Sequence, residues 1–180
     1  MTRKVVVALD PSSDEASYTI EWIIENFLKP EIDDVRLISA VSLNSDFDAD
    51  ELGLYTMSLT EEIMQLEKEI IEKTREAMND FLEILQAANV IKATIAFFRV
   101  LLIQASFYYF QQINARVEVL KSLSDSRNIV VEYIENEKAD ILIMGSRDLS
   151  TWKRLFLGSF SDFCQQNSHC PVLIVKKRQK

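Results

Sequence analysis

Two short glycine-serine segments are the places where this sequence can hold a charged ligand: Met144-Gly145-Ser146-Arg147-Asp148 and Leu157-Gly158-Ser159-Phe160-Ser161. They contain two of the three glycines in the 180-residue chain. The first follows an apolar run directly, and the second opens a helical pattern. Backbone N–H groups and the positive end of a helix hold phosphate at such places, because glycine lets the main chain come close and serine adds a hydroxyl donor. A plainer reading stands beside this one, in which Gly145 only turns the chain and Gly158-Ser159 only cap a helix.

Other chemistry is thin. Cys164 and Cys170 have neither CxxC spacing nor a matching histidine cluster, so they read as reduced cysteines of a cytosolic protein, one on a helix and the other beside a strand. His169 stands alone beside Cys170 and Pro171 and reads as a helix-end residue. Glu61-Glu62 and Glu67 with Glu69 read as a solvated helix face, with Lys68 and Lys73 as partners. No Walker A loop, GxGxxG or nucleophile elbow occurs, and no catalytic constellation emerges. A formal net charge of -8 argues against a surface built for nucleic-acid backbones. The apolar run after Met1-Thr2-Arg3-Lys4 is too short for a signal-peptide core, so cytoplasm is the expected setting.

The glycine-serine segments need a scaffold, and the apolar pattern supplies one. Val5–Leu9 is a β-branched run of the kind buried on both faces of a sheet. It stops at Asp10-Pro11, after which Ser12, Ser13 or Asp14 caps a helix with Tyr18, Ile20, Trp22, Ile23 and Phe27 on its apolar side and Pro30 at its end. Val35–Val41 reads as a second strand. A long helix is expected from Thr60, where Thr60-Glu61-Glu62-Ile63 has capping-box spacing, with Ile63, Leu66, Ile70, Met78, Leu82 and Leu85 inward. Ala115–Leu120, Ile141–Met144 and Pro171–Val175 complete the strands. Asp125–Lys138, with Ile129, Val130, Tyr133 and Ile134 inward, and Phe160–Asn167 complete the helices. Such alternation favours a doubly wound parallel sheet, whose ligand crevice lies beyond the carboxyl ends of the strands, here the loops after Leu9, Val41 and Met144.

Three stretches resemble the universal stress protein family: Val5-Val6-Val7-Ala8-Leu9-Asp10, Ala139-Asp140-Ile141-Leu142-Ile143-Met144-Gly145-Ser146-Arg147 and Cys170-Pro171-Val172-Leu173-Ile174-Val175. Its ATP-binding members carry G-x2-G-x9-G-(S/T). Gly145, Gly158 and Ser159 fall in that register, and Asp148 replaces the middle glycine. The resemblance implies a five-stranded parallel Rossmann-like sheet, adenine nucleotide alpha hydrolase-like, in strand order 3-2-1-4-5. It also implies a site for ATP: Asp10 and Pro11 near adenine and ribose, the Val41 backbone at adenine, and Met144, Gly145 and Arg147 around ribose and phosphate. Gly158, Ser159, Phe160 and Ser161 would then meet the phosphates. The Asp148 carboxylate would repel a polyphosphate unless Mg²⁺, Arg147 or Lys153 intervenes.

Residues 90–112 do not fit that plan, since most family members have a short turn there. Lys92, Arg99 and Gln104 interrupt any membrane span, which needs about 20 mostly apolar residues. An apolar helix packed on the domain or on a partner is one reading, and a translated intron is another. Removal of Val90–Gln112 would join Asn89 to Ile113 by an ordinary connection. The expectation is thus one domain with an insert, holding adenine nucleotide as a stress-response sensor or carrier with at most slow hydrolysis. A dimeric adaptor that has lost the nucleotide and an unrelated nucleotide-dependent enzyme are the alternatives. The resemblance further implies a homodimer through the last strand, whose apolar edge would otherwise be unprotected.

Overall fold

The computed structural model describes residues 2–42, 57–101, 113–122, 125–146 and 158–177, and within the long helix it describes side chains over 61–88. The five strands are β1 (Arg3–Ala8), β2 (Asp33–Ser42), β3 (Asn114–Ser122), β4 (Ile141–Gly145) and β5 (Val172–Val175). The helices are α1 (Asp14–Asn26), α2 (Met57–Leu101), α3 (Ser126–Asn136) and α4 (Ser159–Asn167). All strand pairs are parallel, in the order β3-β2-β1-β4-β5. The doubly wound sheet and its strand order are therefore as the sequence led one to expect.

Alternation along β1 explains why its Val5–Ala8 run shows no polar positions. Val5 and Val7 enter one apolar layer with Ile20 and Ile23 of α1 and Met78, Phe81 and Leu85 of α2. Val6 enters the opposite layer with Val130 and Ile134 of α3 and Cys164 of α4. With helices on both faces, a central strand has no solvent side to advertise. Cys164 lies on α4 and Cys170 just before β5, and both are free and buried. Burial pushes the Cys164 thiol up to about 11 and raises that of Cys170 as well, so neither is poised as a nucleophile at neutral pH.

Several boundaries differ from expectation, most of all in the helices. α1 stops at Asn26, before Pro30, because the N–H groups of Phe27 and Leu28 both return to the Ile23 carbonyl at 3.0 and 2.8 Å. The Lys29 N–H then leaves the helix for the Asp33 carboxylate at 2.8 Å. α2 begins at Met57, which places Thr60 inside the helix instead of at its cap, and continues unbroken through Leu101. Leu66 and Ile70, expected inward, are 58% and 37% exposed. At 3.6 residues per turn Leu66 lies roughly 120° around the axis from buried Met78, outside the arc that the sheet covers, whereas Ile70 lies roughly 20° from buried Phe81, at the edge of that arc. Ile129 and Tyr133 of α3 are only half-buried, while Val130 and Ile134 carry that helix's packing.

The amino edge of the sheet is closed by its own charges. Arg3 donates two bonds to Asp33, at 2.7 and 2.8 Å, and its guanidinium lies 4.5 Å from the Phe27 ring centre. Buried Asp34 accepts from Arg36 and, at 2.9 Å, from Asn114. The Lys4 N–H donates to Asp140 at 2.7 Å. No described helix is long and apolar enough to cross a membrane.

Candidate functional site

At the opposite, carboxyl edge lies a cavity of about 440 Å³, within the usual range for small-molecule sites. Four of the segments that line it carry the expected positions. The end of β1 and the turn after it supply Asp10 and Pro11, β2 supplies Val41, β4 supplies Met144 and Gly145, and the start of α4 supplies Gly158, Ser159, Phe160 and Ser161. Every expected site position among the described residues therefore lines one cavity. Arg147, together with Asp148 and Lys153, lies outside the described residues.

Local chemistry fixes each segment. The Asp10 carboxylate accepts the Ser12 N–H at 3.1 Å and the Ser12 hydroxyl at 2.6 Å, which makes a tight Asx turn as the chain leaves β1. Ser13 then caps α1, its hydroxyl accepting the Glu15 N–H at 3.2 Å. At α4 the Asp162 N–H donates to the Gly158 carbonyl at 3.0 Å, so the N–H groups of Ser159, Phe160 and Ser161 precede that helical bond. They carry the positive end of the helix toward the cavity.

The two glycines have different reasons for being glycine, and neither has a positive φ. A Cβ on Gly145 would stand 2.8 Å from Thr19 Oγ1 and 3.3 Å from Glu15 Cβ, so Gly145 is required for α1 to press against the end of β4. A Cβ on Gly158 would meet no described atom within 4 Å, and its φ of -57° suits any residue. The described fold therefore does not demand glycine at 158. A side chain there would instead stand at the wall of the cavity, where a ligand would approach the main chain.

Several lining residues were not anticipated. Ser12 and Ser13 precede α1, and Glu15 and Thr19 lie in its first turns, which must face the same edge as the end of β1. Ser126 opens α3 after β3 and was open to the same topological argument. Ser39 carried no motif. Thr74 belongs to α2, and its place at the cavity depends on how a 45-residue helix lies along the sheet, which spacing alone cannot tell. Among the described residues no cluster of His, Cys, Asp and Glu is arranged to hold a metal ion.

Comparison with known proteins fits this architecture. The sequence model of the Universal stress protein family matches residues 1–176. Universal stress protein MJ0531 of Methanocaldococcus jannaschii is 43% identical over 53 residues, which are 29% of this chain and 31% of that protein. Matches to the curated relatives span under two fifths of those proteins' lengths. The solved structure of hypothetical protein MJ0577 aligns with a TM-score of 0.65 at 19% identity, over 100% of this chain and 99% of that one. A universal stress protein family protein from Arabidopsis thaliana with AMP bound aligns with a TM-score of 0.56 at 14% identity, over 98% and 92%. At such identities the two structures speak for the fold, and the family match speaks for descent: the chain belongs to the universal stress protein family.

Proposed function

We propose that this chain binds an adenine nucleotide, with ATP as the physiological ligand, in the cavity at the carboxyl edge. The observation that carries the reading is the meeting of Asp10, Val41, Met144, Gly145 and Gly158–Ser161 around one volume. The A. thaliana relative of the same fold with AMP bound supports it. In this reading the apolar wall around Leu9, Ala40 and Val41 takes the base, and Asp10 accepts from ribose hydroxyls. The first turn of α4 donates to phosphate. Arg147 would add charge, and Mg²⁺ taken up with the nucleotide would offset the repulsion between the phosphates and the Asp148 carboxylate. The protein is then a nucleotide sensor or carrier in stress response, one domain with an apolar insert at about 90–112, with hydrolysis slow at most. Its two free, buried cysteines suit a cytoplasmic setting.

Mass analysis of the small molecule released on denaturing the purified protein tests this directly, and an adenine nucleotide is expected. Calorimetric titration with ATP and with AMP, each with and without Mg²⁺, ranks the ligands. Asp148→Gly should tighten ATP binding more than AMP binding. Absence of heat with saturating ATP and Mg²⁺ would retire the proposal.

A second reading, a dimeric adaptor that works without nucleotide, draws on β5. That strand ends the sheet beside β4, and its Val172, Leu173 and Ile174 are only half-buried. Pairing of two β5 edges would cover them. Ile174→Lys should then remove pairing through β5 and lower the assembly size in gel filtration, whether or not nucleotide binds.

A further inference from the structure

While Met78, Phe81 and Leu85 attach α2 to the sheet, a neighbouring stripe of the same helix carries Leu66, Ile70 and Ile84 at 58%, 37% and 46% exposure. Half-buried Ala77 and Ala88 lie on it too. At 3.6 residues per turn these five positions fall within roughly 40° of one another around the axis. None of the five belongs to either apolar layer of the fold. Single exposed aliphatics are ordinary, but an aligned row along a surface helix marks a contact face.

We propose that this row is the contact between two copies of the chain, their α2 helices antiparallel and crossing at Ala77. A two-fold axis there sets Leu66 against Ala88 and Ile70 against Ile84, because each pair is equidistant in sequence from Ala77. The same surface thus serves both partners, as a closed dimer requires. At the crossing Ala77 meets Ala77, and a small residue there lets the helix axes approach closely. Charge selects the direction. In this register exposed Lys73 of one copy falls within one residue of Asp80 of the other, whereas a parallel pairing in register would set Lys73 against Lys73 and Asp80 against Asp80. Lys73 bonds Glu69 at 2.6 Å within its own helix, yet it remains 72% exposed and within reach of a partner. None of the five residues lines the nucleotide cavity or belongs to β5, so the interface stands whether or not those readings do.

Cysteine cross-linking tests the register, since native Cys164 and Cys170 are buried. In the full chain under mild oxidation, Ala77→Cys should give a disulfide-linked dimer, because that position lies on the axis. Leu66→Cys and Ala88→Cys should cross-link together and fail singly. Glu83→Cys, on another side of the helix, sets the rate of random collision. Ile70→Glu with Ile84→Glu should weaken self-association about tenfold or more in sedimentation velocity, as expected for truncating the centre of an interface. Cross-linking by Ala77→Cys should persist alongside Ile174→Lys, which removes any pairing through β5. The proposal is overturned if Ala77→Cys links no faster than Glu83→Cys, or if its linkage vanishes with Ile174→Lys.

Discussion

Both edges of the sheet are rich in polar side chains, but they dispose of them differently. At the amino edge Arg3, Asp33, Asp34, Arg36 and Asn114 hydrogen-bond among themselves, with only the buried Nε of Arg36 left without a partner within that group. At the carboxyl edge Ser12, Ser39, Thr74, Ser126 and Ser159 surround a cavity. Parallel topology produces the contrast, because α1, α3 and α4 start at the carboxyl edge and bring their donor-rich first turns with them. The first edge can be judged by stability, and the second by what it binds.

Substitutions can break that division of labour. The largest effect should come from Asp34→Ala, which strands the nearly buried Arg36 guanidinium and should cost about 3–5 kcal/mol in urea unfolding. Nucleotide affinity measured on the folded fraction should barely change, and a parallel loss of affinity would show that the edges are coupled. Next is Gly145→Ala, whose new methyl would press on Thr19 and should cost about 1–3 kcal/mol. Adding Thr19→Ala should restore most of that loss, since it removes the atom in the way. Gly158→Ala should leave stability within about 0.5 kcal/mol yet weaken nucleotide binding about tenfold. If stability falls and affinity holds, Gly158 serves the fold and not a ligand.

The smallest effect concerns the layer beneath the cavity. Burial raises the Cys164 thiol from 9.0 to about 11 in the folded chain. The unfolded chain therefore loses this proton first. The stability that comes from keeping the thiol neutral is fully present below pH 9 and is lost as pH rises through about 11. Cys164→Ala should flatten that part of the alkaline unfolding curve. An unchanged slope would mean that water reaches the sulfur.

Legibility in sequence followed the same physics. β1 was plain because both its faces are covered, so an unbroken Val5-Val6-Val7 run has one reading. The two glycine segments were plain as a pair, although spacing could not distinguish the packing need of Gly145 from the open space beside Gly158. The inward face of α2 was misjudged at Leu66 and Ile70 because helical spacing reports that a residue is apolar, not which arc of a long helix meets the sheet. Thr74 was hidden for the same reason. Ser126 was overlooked despite lying just after a strand, where topology alone would have placed it.

The pairing of β1 also sets a condition on synthesis. Val5 pairs with Val35 on one side but with Ile141 on the other, so one flank of the innermost strand has no neighbour until most of the chain has left the ribosome. Nascent chains ending before Ile141 would present three consecutive valines on an open backbone edge, the sort of surface that chaperones capture and that joins wrongly with another chain. Protease resistance in ribosome-bound chains of increasing length should therefore rise abruptly once β4 emerges, long after β1 itself was made.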